Sequence, residues 1–325
     1  MIYIIYLLLA AAVVWCSIKC AKYVDLLDKK TDLSGAFIGG VILAAVTSLP
    51  ELFTSISALF VLETPRLELI LGNILGSNIF NIAALACIVL FTVKGFSKAN
   101  IMKSHIGTII CTAVLYLLLM FSSFIQSLDF HFLTISVLSV AILLVYAFAV
   151  RKMAGDESET DEECDSALTV RQIVLRFILT AVCLVAASIA VTYVTDKIQQ
   201  QLPWLGATLA GAILLGVATS LPELTSCIAL AKRGNFNAAF GNITGSNIFN
   251  MFIIVVADIL FWNGSVYLFD KQAKVLLIFG LISMLALLAE IILRRAKKKH
   301  SRIWYWLLSG VSIVCYILFL VFSLI

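Results

Sequence analysis

Apolar runs long enough to cross a bilayer follow one another along almost the whole of this 325-residue chain, and they fix its solvent before any motif is read. They fall at roughly 2–20, 33–61, 69–93, 105–126, 130–150, 173–195, 205–231, 236–262, 273–293 and 304–324, joined by short polar connections. A helix needs about 20 mostly apolar residues to span about 30 Å of hydrocarbon. The spacing predicts an all-α integral membrane protein with ten transmembrane helices. Composition agrees, because 62% hydrophobic and 13% charged residues lie far from the soluble norm of about 45–50% and about 25%. The first run, Ile2 to Ser17, reads as a retained span: no basic residue precedes it and no small-residue cleavage site closes it.

Charge placement then orients the spans. Nineteen of the 23 Lys and Arg residues fall in one set of alternate loops and helix ends, leaving Arg66, Lys197, Lys271 and Lys274 on the other side. Cytoplasmic loops retain positive residues. The expectation is a multi-pass plasma-membrane protein with both termini extracellular and the loop at 151–172 cytoplasmic. That loop carries Asp156, Glu157, Glu159, Asp161, Glu162, Glu163 and Asp165; it lacks the spacing of a calcium-binding loop and reads as a solvated linker. No basic, aromatic-interleaved surface suggests nucleic acid. The eight cysteines form no CxxC pair and no Cys/His cluster, so neither a disulfide framework nor a zinc site is expected. No cofactor and no obligate protein partner are inferred; membrane lipid surrounds the chain.

Two segments repeat. AAVTSLPELFTSISA, ending at Ala58, matches GVATSLPELTSCIAL, ending at Leu230, so that Glu51 and Glu223 occupy equivalent positions 172 residues apart. GNILGSNIFNIA from Gly72 matches GNITGSNIFNMF from Gly241 at an offset of 169 residues. Five predicted spans separate the copies, so the second enters the membrane from the opposite side, the inverted repeat of many secondary transporters. The chain divides on this reading into 1–150, a first five-helix repeat with its motif at 33–83; 151–172, the acidic loop; and 173–325, the second repeat with its motif at 205–252.

The repeated segments carry oxygen ligands into an apolar setting. Only Glu51, Glu223, Asp258 and Glu290 lie inside the apolar runs, where a carboxylate needs a partner or a purpose. Glu290 has Arg294 one turn away and Asp258 lies near a span end, which suits structural roles. Glu51 and Glu223 are mid-span with no basic neighbour on their own helix. Each follows a proline, Pro50 or Pro222, which deprives the carbonyl four residues earlier of its donor and favours local unwinding. Thr47, Ser48, Thr219 and Ser220 add hydroxyls on the same bends. Asn73, Ser77 and Asn81 form one stripe at helical spacing, repeated by Asn242, Ser246 and Asn250. Gly72 with Gly76, and Gly241 with Gly245, form small-residue pairs that permit close helix packing. Hard cations take oxygen ligands of these kinds.

With those duplicated motifs the chain resembles the sodium/calcium exchanger family of the calcium/cation antiporters, over the whole ten-span architecture and most specifically at 33–83 and 205–252. The resemblance implies Na+ and Ca2+ as transported ions, with Glu51 and Glu223 as shared ligands. It also implies ligand roles for Thr47, Ser48, Ser77, Thr219, Ser220 and Ser246, for the carbonyls of Ala44 and Gly216, and for Asn81 and Asn250 at the centre, with Asn73 and Asn242 beside them. Some relatives carry Asp where this chain has Asn250, so here two glutamates hold the formal charge alone. Other readings are Ca2+/H+ exchange, K+-dependent Ca2+ exchange or, in a different class, a cation channel. Cation/proton relatives usually carry Gly-Asn-x-x-Glu in the repeats, so Gly-Asn leading into Gly-Ser in both repeats here implies Na+ over H+, and since K+-dependent relatives tend to hold an extra acidic group in the second repeat, Asn250 implies no K+ dependence. An enzyme is not expected, since His105, His131 and His300 have no paired ligand or nucleophile motif.

Overall fold

Helices coincide with the apolar runs, as they must where lipid offers the backbone no hydrogen bonds. The computed structural model describes residues 1–31, 44–124, 131–132, 135–153, 168–262, 264–295 and 301–325. The acidic cluster from Asp156 to Asp165, Cys164, His300 and the start of the second run at 33–43 lie outside the described residues. Helix α1 is Ile2–Thr31, α2 Leu49–Phe60, α3 Leu67–Phe91, α4 Lys103–Phe124 and α5 Val137–Met153. After the acidic loop come α6 (Val170–Gln201), α7 (Ala207–Lys232), α8 (Phe236–Leu260), α9 (Lys271–Arg295) and α10 (Ile303–Leu324). Among the described residues eight of these are long and apolar enough to cross a membrane; α2, with 12 residues, and α5, with 17, are shorter.

The all-α expectation holds with one small exception. His131–Phe132 and Ile135–Ser136 pair as two short antiparallel strands, His131 with Ser136 and Phe132 with Ile135. The fifth helix therefore starts at Val137, later than the apolar run at 130–150 suggests. Ser136 sets that start: its hydroxyl accepts from the Leu138 amide at 3.2 Å, while its own amide donates to Asp258 Oδ2 at 3.0 Å. Helices α1 and α6 run past their apolar cores, and the far end of α1 meets the beginning of α6 where Lys30 Nζ donates to the Leu168 carbonyl. Thr169 and Gln172 close α6 with reciprocal side-chain to backbone hydrogen bonds, a capping box.

Burial separates inner from outer helices. Most side chains of α3 and α8 are buried, whereas α1, α6 and α10 present Leu7, Leu8, Trp15, Leu175, Leu179, Val182, Leu307 and Val314 outward. In a soluble protein such a surface would aggregate; here it faces acyl chains. The main apolar core spreads over α3, α4, α8 and α9, and a smaller cluster of Val13, Cys16, Cys20, Leu184 and Val191 joins α1 to α6. A half-buried ion pair, Arg66 Nε to Asp196 Oδ1 at 2.8 Å, ties the connection before α3 to α6.

Packing of α3 on α7 is backbone against backbone. A Cβ on Gly72 would lie 2.0 Å from the Thr208 carbonyl oxygen, and one on Gly76 would lie 2.4 Å from Ala212 Cα. The expectation for this small-residue pair is met: Gly72 faces Thr208 in the first turn of α7, and Gly76 faces the wide π-helical turn Gly211–Gly216 that follows. In the second copy Gly245 faces the Ala44 methyl, 3.0 Å from where its own Cβ would stand.

Candidate cation site

Pro50 and Pro222 shape their surroundings differently. Residues 44–47 are helical, the chain turns at Ser48, and α2 restarts with Pro50 in its first turn, where no amide donor is required. The Ser48 amide and the Thr47 hydroxyl both donate to the Ala44 carbonyl, each at 3.1 Å. In α7 the expected unwinding at Pro222 does not occur: the helix runs through it from Val217 to Lys232. The irregularity lies upstream in the turn Gly211–Gly216, where the glycines abut α3; a Cβ on Gly211 would lie 2.4 Å from the Leu69 carbonyl oxygen. The turn ends at Gly216, whose carbonyl accepts from Ser77 Oγ at 3.2 Å and Thr219 Oγ1 at 3.4 Å.

These bends bring the two glutamates together inside the bundle. Glu51 and Glu223 are both 0% exposed. The hydroxyls cross between repeats: Ser220 Oγ donates to Glu51 Oε1 at 3.1 Å, and Ser48 Oγ donates to Glu223 Oε1 at 3.4 Å. Ser246 Oγ also donates to Glu223 Oε1, at 3.4 Å. Thr47 and Ser246 hydroxyls lie 3.2 Å apart, and their counterparts Thr219 and Ser77 lie 3.4 Å apart. The second oxygen of each glutamate, Oε2, is buried with no hydrogen-bond partner among the described residues. An ionised oxygen left in that state is costly, so the arrangement suits a bound positive charge.

The asparagines divide unevenly. Asn73 Nδ2 donates to the Glu51 carbonyl at 3.2 Å, to Thr54 Oγ1 at 2.9 Å and to Ser55 Oγ at 3.2 Å, while its Oδ1 accepts from Thr219 at 3.4 Å. Its counterpart Asn242 reaches Cys227 Sγ instead, at 3.5 Å, and makes no hydrogen bond to the glutamate cluster among the described residues. Cys227 stands where the first repeat has Ser55, which accounts for the difference. Asn81 and Asn250 are fully buried, and each keeps an Oδ1 with no partner among the described residues.

Two residues absent from the sequence reading sit beside them. Asn78 and Asn247 exchange hydrogen bonds with each other's backbone and with Asn250 and Asn81. Their signal was their identical place in both copies of Gly-Ser-Asn; they lie off the four-residue stripe, so periodicity passed over them. The other intramembrane carboxylates are held elsewhere in the bundle, though Asp258 Oδ1 is also buried with no hydrogen-bond partner among the described residues. Asp258 Oδ2 accepts from Ser139 Oγ at 2.6 Å as well as from the Ser136 amide. Glu290 takes a 2.9 Å bond from Ser309 on α10, and Arg294, its expected partner, donates to the Phe96 carbonyl at 3.0 Å. Helix packing offered closer partners than the residue one turn along.

Among the described residues no group of three His, Cys, Asp or Glu side chains is placed to hold a transition metal. The donors are carboxylate, hydroxyl, amide and carbonyl oxygens, the set that alkali and alkaline-earth cations prefer. The model of one family, the sodium/calcium exchanger protein, matches residues 1–152 and 172–325. The chain belongs to the sodium/calcium exchanger family. Within reach of that family, the inner membrane protein YrbG of Escherichia coli is 24% identical over 249 residues, covering 75% of this chain and 76% of YrbG. The crystal structure of an H+/Ca2+ exchanger, CAX, superposes with TM-score 0.74 at 13% identity, covering 99% of this chain and 88% of that one. The sodium-calcium exchanger NCX_Mj superposes with TM-score 0.60 at 21% identity, covering 99% of both chains. At these identities the two structures establish a shared fold.

Proposed function

We propose that this protein is a secondary antiporter that exchanges Na+ for Ca2+ by alternating access at one shared site near the bilayer midplane. The observation that carries the proposal is the pair of fully buried glutamates from the two sequence repeats, each with one bare oxygen and a hydroxyl donated by the opposite repeat. Two carboxylates balance one Ca2+ or two Na+. Site ligands on this reading are Glu51, Glu223, Thr47, Ser48, Ser77, Thr219, Ser220, Ser246, Asn81 and Asn250 with the Ala44 and Gly216 carbonyls, while Asn73 supports Glu51 through its backbone. The printed names of the family and of NCX_Mj point the same way.

The architecture proposed with it is ten spans in two inverted five-helix repeats, 1–150 and 173–325, joined by the loop at 151–172. Reciprocal hydrogen bonds between equivalent residues, Ser48 with Glu223 and Ser220 with Glu51, support a two-fold relation between the repeats. The Lys and Arg bias supports extracellular termini and a cytoplasmic 151–172 loop in the plasma membrane. Rocking of one repeat against the other would expose the site to each side in turn.

Ca2+/H+ exchange is the second reading, since no Lys or Arg pairs with either glutamate among the described residues and protons would neutralise them as well as Na+ does. Uptake of 45Ca2+ into proteoliposomes preloaded with Na+, with K+ or at an imposed pH difference separates the two. Uptake driven by the outward Na+ gradient is expected; uptake driven by the proton gradient alone would overturn the Na+ assignment.

A further inference from the structure

An asparagine amide has the same outline whichever way its oxygen and nitrogen point, so its neighbours decide which end faces a ligand. At the centre of this bundle the neighbours leave no choice. Asn78 Nδ2 lies 3.0 Å from the backbone carbonyl oxygen of Asn247, and Asn247 Nδ2 lies 3.2 Å from that of Asn78. A carbonyl only accepts, so both nitrogens are fixed against the opposite helix and both Oδ1 atoms must point away from it. Those oxygens are then met by the NH2 groups of Asn250 and Asn81, each at 3.0 Å. With its nitrogen so engaged, each of Asn81 and Asn250 is left with a buried Oδ1 that has no partner among the described residues.

We propose that Asn78 and Asn247 are positioning residues: anchored on the backbone of the facing helix, each turns the amide of Asn250 or Asn81 so that its oxygen, not its NH2, faces the transported cation. The relay crosses the interface twice. Asn78 on α3 orients Asn250 on α8, and Asn247 on α8 orients Asn81 on α3. Its consequence is electrostatic, because an NH2 turned toward the cation would present partial positive charge where a ligand oxygen is needed. An amide supplies an oxygen only when something holds it the right way round, whereas a carboxylate supplies one from either side. This inference rests on the proposed cation site.

The test is a double-mutant cycle read by calorimetric Ca2+ binding to the purified full chain in Na+-free buffer. Asn78→Leu removes the acceptor that holds Asn250, and Ca2+ affinity is expected to fall about 10–100-fold, the usual range when a residue that orients a metal ligand is lost. In an Asn250→Asp background the same Asn78→Leu change is expected to cost little, since both ends of the 250 side chain are then oxygen. Asn247→Leu with Asn81→Asp forms the mirror cycle. Should the Leu variants fail to fold, Asn78→Ala and Asn247→Ala remove the same acceptors with less bulk. An equal loss in both backgrounds, or no loss in the native one, overturns the relay. If that happens while the native chain binds Ca2+ and Glu51→Gln abolishes binding, the cation site stands without the relay; if the native chain binds no Ca2+, both fall.

Discussion

Glu51 and Glu223 are the residues on which the account turns. Substitution of either by Gln keeps shape and removes one of two charges, so Ca2+ transport is expected to drop to background in reconstituted vesicles while thermal unfolding of the purified protein changes little. Full exchange by either variant would remove it from the site. Asp258→Asn and Glu290→Gln touch carboxylates held by Ser136 and Ser139 and by Ser309. These changes are expected to cost roughly 1–3 kcal/mol of stability through weakened buried hydrogen bonds and to leave transport in place. Loss of transport equal to that of the Glu51 and Glu223 variants would show that the four carboxylates were sorted wrongly. Sequence alone singled out Glu51 and Glu223 because a mid-span carboxylate with no charged neighbour stands out against apolar surroundings. It misassigned the partner of Glu290, because spacing along one helix says nothing of Ser309 on the next. Asn78 and Asn247 stayed hidden for the same reason, their partners lying on the facing helix.

At the scale of elements, the span boundaries read from hydropathy fall near the helices, since the bilayer demands unbroken apolar helix. Departures occur where a side chain overrules that demand. Ser136 starts α5 late by giving its amide to Asp258, and the break expected at Pro222 moves to Gly211–Gly216, where backbone packs on backbone. The turn was not legible because the contact that places it comes from α3. Gly72→Ala tests that contact. Its new methyl would stand 2.0 Å from the Thr208 carbonyl oxygen, so α3 and α7 must separate. Overpacking of this kind costs about 1–3 kcal/mol, and both a lower unfolding temperature and slower Ca2+ uptake are expected. Gly234→Ala, in the loop between α7 and α8 where a Cβ meets nothing within 4 Å, strains only a local φ of +78° and should leave uptake close to native. Equal loss of uptake in the two variants would deny the α3–α7 contact its role.

For the whole molecule, the repeat in the sequence carried more than composition: it placed the two glutamates at equivalent points, and the fold brings them to one buried centre. Two carboxylates in a low-dielectric interior cannot balance a Ca2+ and several Na+ at once, so the proposed shared site requires the ions to take turns. On the proposed mechanism, occupation by either cargo would neutralise Glu51 and Glu223 and let the repeats rock, whereas the empty, doubly charged site would resist crossing an apolar barrier. Coupled exchange would follow from that exclusion. Equilibrium binding of 45Ca2+ to the purified protein at rising Na+ concentration measures it directly: Na+ is expected to displace Ca2+ completely and steeply, more than one Na+ for each Ca2+. Simultaneous full occupancy by both ions would contradict the shared site, even in a protein that exchanges them.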